Sequence, residues 1–283
     1  ISGVLLFRKR FSWKENMAKK CRSLAAPYLL LNTLWILFYL ICQSLPVVSG
    51  FFTQSRVASW GLLDWLDAYT GFRSGGPMVY HLWFLRDLFL MNLIAPAIGA
   101  LTKKFPTASA ALVLALYLLR AKTRYFGITI EAICFFTLGG CLVSWDVHLD
   151  SIKKKWPLAI AYALLVPAAL LTDAPVVKKL CILFGMAFWL VCATDFVPGR
   201  FLQRLMPFSL DISLFHQMTM TIFFKLVNKL VYPTPAAQLV EYLGMPFVMF
   251  AFCIGLAAIL RRFLPKTYSL LTGSRGRARL LQT

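Results

Sequence analysis

LAAPYLLLNTLWILFYLICQSL, residues 24–45, runs for 22 positions without a charged side chain. A helix needs about 20 such residues to cross the roughly 30 Å hydrocarbon core of a bilayer. Lys19, Lys20 and Arg22 stand just before the stretch and Pro46 just after it. It therefore reads as a transmembrane helix that enters from a basic face. The same pattern recurs at residues 80–101, 126–144, 156–171, 180–194, 208–231 and 239–260, with a shorter apolar run at 106–120.

Composition agrees with this reading. Hydrophobic residues make up 59% of the 283 positions and charged residues 14%, against about 25% charged in an ordinary soluble domain. The net charge of +19 could suggest nucleic acid, because Lys and Arg that neutralise phosphates produce such an excess. Here the charges sit in short runs between apolar segments, where Lys and Arg set membrane orientation, so no nucleic-acid partner is expected. The partner that composition implies is the lipid bilayer. Six of the seven cysteines lie in apolar segments rather than at framework spacings, which predicts neither disulfides nor a metal site.

Each crossing flips the side of every later loop, so charge can decide whether the short run at 106–120 crosses. If it does, twenty Lys and Arg fall on one side and nine on the other, with Arg86 inside a helix. If it does not, the basic runs at 8–22 and 153–155 fall on opposite faces. The expectation is an all-α fold, a polytopic transmembrane helical bundle of eight full spanning helices plus an N-terminal helix fragment. Ile1 to Phe7 runs straight into Arg8, Lys9 and Arg10, the order of a helix end and not of a cleaved leader. Residues 1–272 read as one membrane domain and 273–283 as a basic cytoplasmic tail. In the longest external connection, Ser59 can cap a short amphipathic helix through Leu62, Leu63, Trp65 and Leu66 that stops at Gly71, lying at the outer interface.

Charge inside a membrane helix costs roughly 2.5 to 3.5 kcal/mol per residue, so each such group is a functional candidate. Tyr80, His81, Trp83, Arg86, Asp87 and Asn92 cover most of one helix and leave an apolar stripe at Leu82, Leu85, Phe89 and Leu93 for lipid. Arg86 and Asp87 lie about 100° apart and are expected to pair with other helices, as structural bracing or as part of a site. Ser209, Ser213, His216 and Gln217 share one face of a later helix, with His216 near mid-membrane, where it can relay a proton or simply bond between helices. Asp211 points to the opposite face, so these residues alone build no Ser-His-Asp triad. Glu131 reads as structural, pairing with Arg86 or Arg124. Lys19, Lys20 and Arg22 read either as an orientation signal or as contacts for phosphate.

The order of these motifs resembles the acyltransferase-3 family of integral membrane acyltransferases over nearly the whole chain. Ile1-Ser2-Gly3-Val4-Leu5-Leu6 resembles that family's second-helix ending. Lys19-Lys20-Cys21-Arg22 followed by Pro27-Tyr28 resembles its basic Arg-x-x-Arg element. His81-Leu82-Trp83-Phe84-Leu85 resembles its central helix, Phe135-Phe136-Thr137-Leu138-Gly139 its aromatic-glycine helix, and residues 209–216 its late helix ending in His. Lys19 departs from the family's Arg, which keeps the charge and loses the bidentate fork.

The resemblance implies ten helices with both ends in the cytoplasm, a bacterial inner membrane, and transfer of an acyl group, commonly acetyl, from acyl-CoA to a hydroxyl of an envelope or exported glycan. It also implies a catalytic His on a first helix that lies outside this sequence, so the chain by itself is expected to be inactive. His216, Ser213 and Arg86 are the secondary catalytic candidates, Lys19 and Arg22 the candidates for the CoA phosphates, and His81, Trp83 and Asp87 those for the sugar acceptor. The competing reading is a transporter or flippase for a glycan or lipid-linked substrate, since a polar mid-membrane helix set also describes a transport path.

Overall fold

In the computed structural model the described residues are 1–9, 12–50, 52, 56–119, 124–125, 127–148, 151–152, 154–230 and 234–273. Fifteen α-helices follow one another among them. They are α1 (Ser2–Phe7), α2 (Trp13–Lys20), α3 (Ala26–Ser44), α4 (Pro46–Ser49), α5 (Leu62–Thr70), α6 (Trp83–Leu93), α7 (Ala95–Lys104) and α8 (Pro106–Leu119), then α9 (Ile130–Ser144), α10 (Trp156–Leu171), α11 (Pro175–Thr194), α12 (Arg200–Leu205), α13 (Ser209–Leu230), α14 (Pro235–Phe263) and α15 (Pro265–Leu271). The fold is all-α apart from a two-residue hairpin, β1 (Arg124–Tyr125) against β2 (Ile128–Thr129). Among the described residues, three helices are long and apolar enough to cross a membrane: Trp13–Ser44, Pro175–Thr194 and Pro235–Phe263. Residues 274–283 of the expected tail lie outside the described residues.

Two compact units form, each from distant pieces of chain. One comprises Ile1–Glu15 with Leu90–Arg200, the other Asn16–Phe89 with Phe201–Thr283. The first is held by close helix approach. A Cβ on Gly3 would sit 2.3 Å from the Phe136 carbonyl oxygen, and one on Gly139 would sit 2.8 Å from the Val4 nitrogen. Small residues let membrane helices meet backbone to backbone, where dispersion replaces the missing hydrophobic drive. Lys179 is buried in the same unit, its ammonium donating to the Tyr117 carbonyl and lying 4.8 Å from that ring's centre.

The expected helix at 80–101 is broken. A single 3₁₀ turn, Tyr80–Leu82, leads into α6, and α6 meets α7 at a 64° bend around Ile94. Pro96 explains the break, having no N–H to donate and a ring that would strike the carbonyl one turn back. The helix expected to begin at residue 126 begins instead at Ile130, capped by Thr129 and preceded by the hairpin that turns at Gly127, φ 77°. Glu131 therefore stands in the first helical turn, where the helix dipole favours an acid, and not deeper in the span.

Lys19, Lys20 and Arg22 do not precede a helix; they lie within one. α2 runs on through a π-helical turn, Cys21–Ala25, into α3 as one continuous helix from Trp13 to Ser44. The widened turn falls where the Pro27 ring would meet the Ser23 carbonyl in regular α geometry, and so lets the helix continue past the proline.

The connection between α3 and α6 also differs from expectation. α5 ends at Gly71 in the left-handed conformation, φ 63°, as its sequence implies. Its start is set at Gly61, whose N–H donates to the Asp64 carboxylate at 3.0 Å, while Ser59 ends a separate 3₁₀ turn. The segment does not stand off at the far end of α3 but returns along it. The Gln43 side chain bonds the Phe52 carbonyl and the Val57 N–H, Asn32 accepts from the Val79 N–H at 3.0 Å, Thr33 meets the Tyr69 hydroxyl at 2.8 Å, and Tyr28 donates to the Tyr69 carbonyl. From Gln43 back to Tyr28 is about 22 Å of helix axis at 1.5 Å per residue. Descent at that depth is possible because the polar side chains of α3 satisfy the returning backbone.

Candidate functional site

All the site candidates named from the sequence lie in the second unit. α6 contributes Trp83, Arg86 and Asp87, the 3₁₀ turn before it His81, α13 contributes Ser213 and His216, and the long first helix contributes Lys19 and Arg22.

Arg86 and Asp87 pair with each other, contrary to the expectation that they reach other helices. Arg86 donates to the Asp87 carboxylate from Nε at 2.9 Å and from Nη2 at 2.8 Å, and its Nη1 donates to the Thr70 carbonyl. Arg86 is 7% exposed and Asp87 0%. Buried charge must be neutralised, and the flexible Arg side chain can swing around to the adjacent acid more easily than another helix can supply one. Glu131, offered as a partner for Arg86, makes no ion pair among the described residues, and the Arg124 side chain lies outside them. Gly71 makes room for this arrangement, since a Cβ there would sit 2.8 Å from Arg86 Nη1.

The expected lipid stripe is also reassigned. Leu82 and Leu85 are buried in the core of the unit, whereas Tyr80 and Phe84 are 61% and 53% exposed. The 3₁₀ turn shifts the phase by which a 100° projection assigned faces. Trp83 is half-buried, its ring edge-on to Phe84 at 6.2 Å.

His81 and His216 come together, their ring centres 4.8 Å apart and their planes tilted by 59°. His81 Nε2 bonds the Leu214 carbonyl at 3.0 Å, and His216 Nδ1 bonds the Ile212 carbonyl at 2.9 Å. A carbonyl can only accept, so each of these ring nitrogens carries the hydrogen. Ser209 and Ser213 share the His216 face of α13 as expected but are exposed. Ser213 and Leu214 line a cavity of about 90 Å³ together with Ser23, Pro27, Leu88 and Thr272. Lys19 and Arg22 stand exposed on the same helix as Ser23, with no hydrogen bond or ion pair to either side chain among the described residues.

One polar cluster was not anticipated. Asp211, buried on the other face of α13, accepts from the Tyr268 hydroxyl at 2.8 Å and from Arg261 at 3.3 Å. Arg261 also faces the rings of Phe208 and Tyr268, each 5.0 Å away. Burial, and next the Asp211 carboxylate that it bonds, hold the Tyr268 phenol above its usual range. The helical projection turned Asp211 away from Ser213 and went no further, because what Asp211 meets depends on where α15 folds. Asn32 is likewise buried, and nothing in its apolar surroundings marked it as the acceptor for Val79.

The geometry thus offers two imidazoles in contact, each donating from one ring nitrogen to a main-chain carbonyl, a small cavity lined in part by Ser213 and Leu214 of the helix that carries His216, and exposed cations on the helix that forms the cavity's other wall. A family model described as an acyltransferase domain matches residues 1–261 of the chain. No curated protein and no solved structure matches it.

Proposed function

Because the chain belongs to the acyltransferase-3 family, whose members are membrane acyltransferases, we propose that it takes part in moving an acyl group, acetyl by preference, from acyl-CoA to a hydroxyl of an envelope or exported glycan. What supports the donor is the exposed Lys19 and Arg22 pair, Lys19 about one turn before Ser23 of the cavity wall and Arg22 directly before it. A phosphate-rich carrier can be held outside by cations while its thioester enters a narrow, largely apolar space. What supports the acceptor is the imidazole pair with Trp83 close by in sequence, because acyl transfer needs a hydrogen-bond acceptor for the attacking hydroxyl. His216, Ser213 and Arg86 are given supporting roles, Arg86 by holding the Thr70 carbonyl and Asp87 in place.

We also read eight crossings. They comprise the three long spans, the bent α6–α7 pair as one, the shorter apolar helices α8, α9 and α10, and α13. The cell membrane is the compartment and the basic side, with the C-terminus, is the cytoplasmic side.

The broken α6–α7 pair is the one observation that favours the transporter reading, since interrupted helices form substrate paths in transporters. One experiment separates the two. Full-length protein in liposomes, given labelled acetyl-CoA outside and a glycan acceptor, is expected to leave label on the glycan. Glycan that crosses the membrane unlabelled would defeat the acyltransferase reading.

A further inference from the structure

We infer that Leu271 and Thr272, at the end of α15, are a size filter that holds the donor to a short acyl chain, resting on the acyl-CoA reading proposed above. Both line the cavity, opposite Ser23 and Pro27 of the long first helix. The cavity measures about 90 Å³. An apolar cavity of about 150 Å³ takes a six-carbon ring, so the smaller one has room for roughly two or three carbons. Pro27, Phe84, Leu88 and Leu271 make its lining largely hydrocarbon, which suits an acyl chain. Thr272 adds no side-chain donor to it, because its hydroxyl donates to the Tyr268 carbonyl at 2.8 Å.

The filter works only if its wall cannot give way, and α15 is fixed in place. Leu271 is 4% exposed and Thr272 2%. One turn before them, Tyr268 donates its hydroxyl to the buried Asp211 of α13, whose carboxylate Arg261 of α14 also holds. Just after them, Gly273 lies against the π-helical turn of the first helix. A Cβ there would sit 2.6 Å from Ser23 Cα and 2.8 Å from the Ser23 carbonyl oxygen, with only backbone to yield, and the φ of 65° itself favours glycine. A wall packed in this way resists a longer ligand, since overfilling a close-packed interior is costly. The match to the acyltransferase domain ends at residue 261 and α15 begins at Pro265, so this wall lies beyond what that match covers.

The test is competition between acyl donors, with full-length protein in liposomes and a glycan acceptor. Wild type is expected to use acetyl-CoA and propionyl-CoA and to discriminate in kcat/KM against butyryl-CoA and hexanoyl-CoA. Leu271→Ala vacates the room of three carbons, one more than butyryl adds to acetyl. It is expected to raise the butyryl-to-acetyl ratio of kcat/KM about tenfold or more, as one methylene in such a pocket is worth about 10- to 200-fold. Thr272→Ala, a smaller cut, is expected to move the ratio the same way, and Leu270→Ala, at a position 58% exposed, to leave it unchanged. A purely structural Leu271 would lower turnover with every donor and leave the ratio where it was. That result in Leu271→Ala, or in Thr272→Ala should Leu271→Ala not fold, overturns the filter, as does a wild type that uses hexanoyl-CoA as well as acetyl-CoA; both leave the transferase reading intact. A wild type that transfers no acyl group from any donor defeats that reading instead. Calorimetry with the uncleavable thioethers S-ethyl-CoA and S-hexyl-CoA then decides the filter: tighter S-ethyl binding in wild type that Leu271→Ala abolishes upholds it, and equal affinities in wild type overturn it.

Discussion

Arg86 and Asp87 meet on adjacent positions of α6, and the cost of leaving either one alone sets their behaviour. Removing one partner of a buried ion pair strands the other charge, at about 3–5 kcal/mol. Asp87→Asn is accordingly expected to lower the thermal midpoint of the purified protein sharply, while Arg86→Met combined with Asp87→Leu recovers much of it; melting in nanodiscs checks both. The presence of costly charge here was legible from hydropathy alone. Its partner was not, because a helical projection fixes Cα directions and says nothing of where a long guanidinium side chain bends. The same limit applied to His81 and His216. Each stood out in an apolar segment, but their contact depends on the 3₁₀ turn at Tyr80–Leu82, which no residue pattern announces.

Among the elements, helix identity followed closely from apolar run length, and α10 begins and ends at the residues that the sequence indicated. Breaks and detours were harder to read. Pro96 marked a bend whose angle depends on packing, and the return of the segment before α6 along α3 depends on Gln43, Asn32, Thr33 and Tyr28 acting together. Each of these looks like an ordinary residue of a membrane helix until the opposite chain is known. The contact of α1 with α9 gives a sharper prediction. A side chain at Gly139 must displace the backbone at Gly3 and Val4, with nothing flexible to yield. Gly139→Leu is expected to detach α1, which protease accessibility of residues 2–7 measures, while Gly255→Leu, where a Cβ meets nothing within 4 Å, is expected to be silent.

At the scale of the whole molecule, charge bias and helix length together predict which loops share a side. Single cysteines at Lys104, Lys154 and Arg200, in a variant cleared of the natural seven, are expected to label from the cytoplasmic face only, and one at Asp173 from the opposite face only. Label at Lys104 and Lys154 from opposite faces would show that α8 and α9 do not both cross. The continuous helix from Trp13 to Ser44 has a mechanical side as well. Its 32 residues make a rod of about 48 Å in a slab of about 30 Å, so it must lean steeply or jut from the surface. Either way the strap that Gln43, Asn32 and Tyr28 hold is fastened to that rod, so the two share whatever tilt the bilayer imposes.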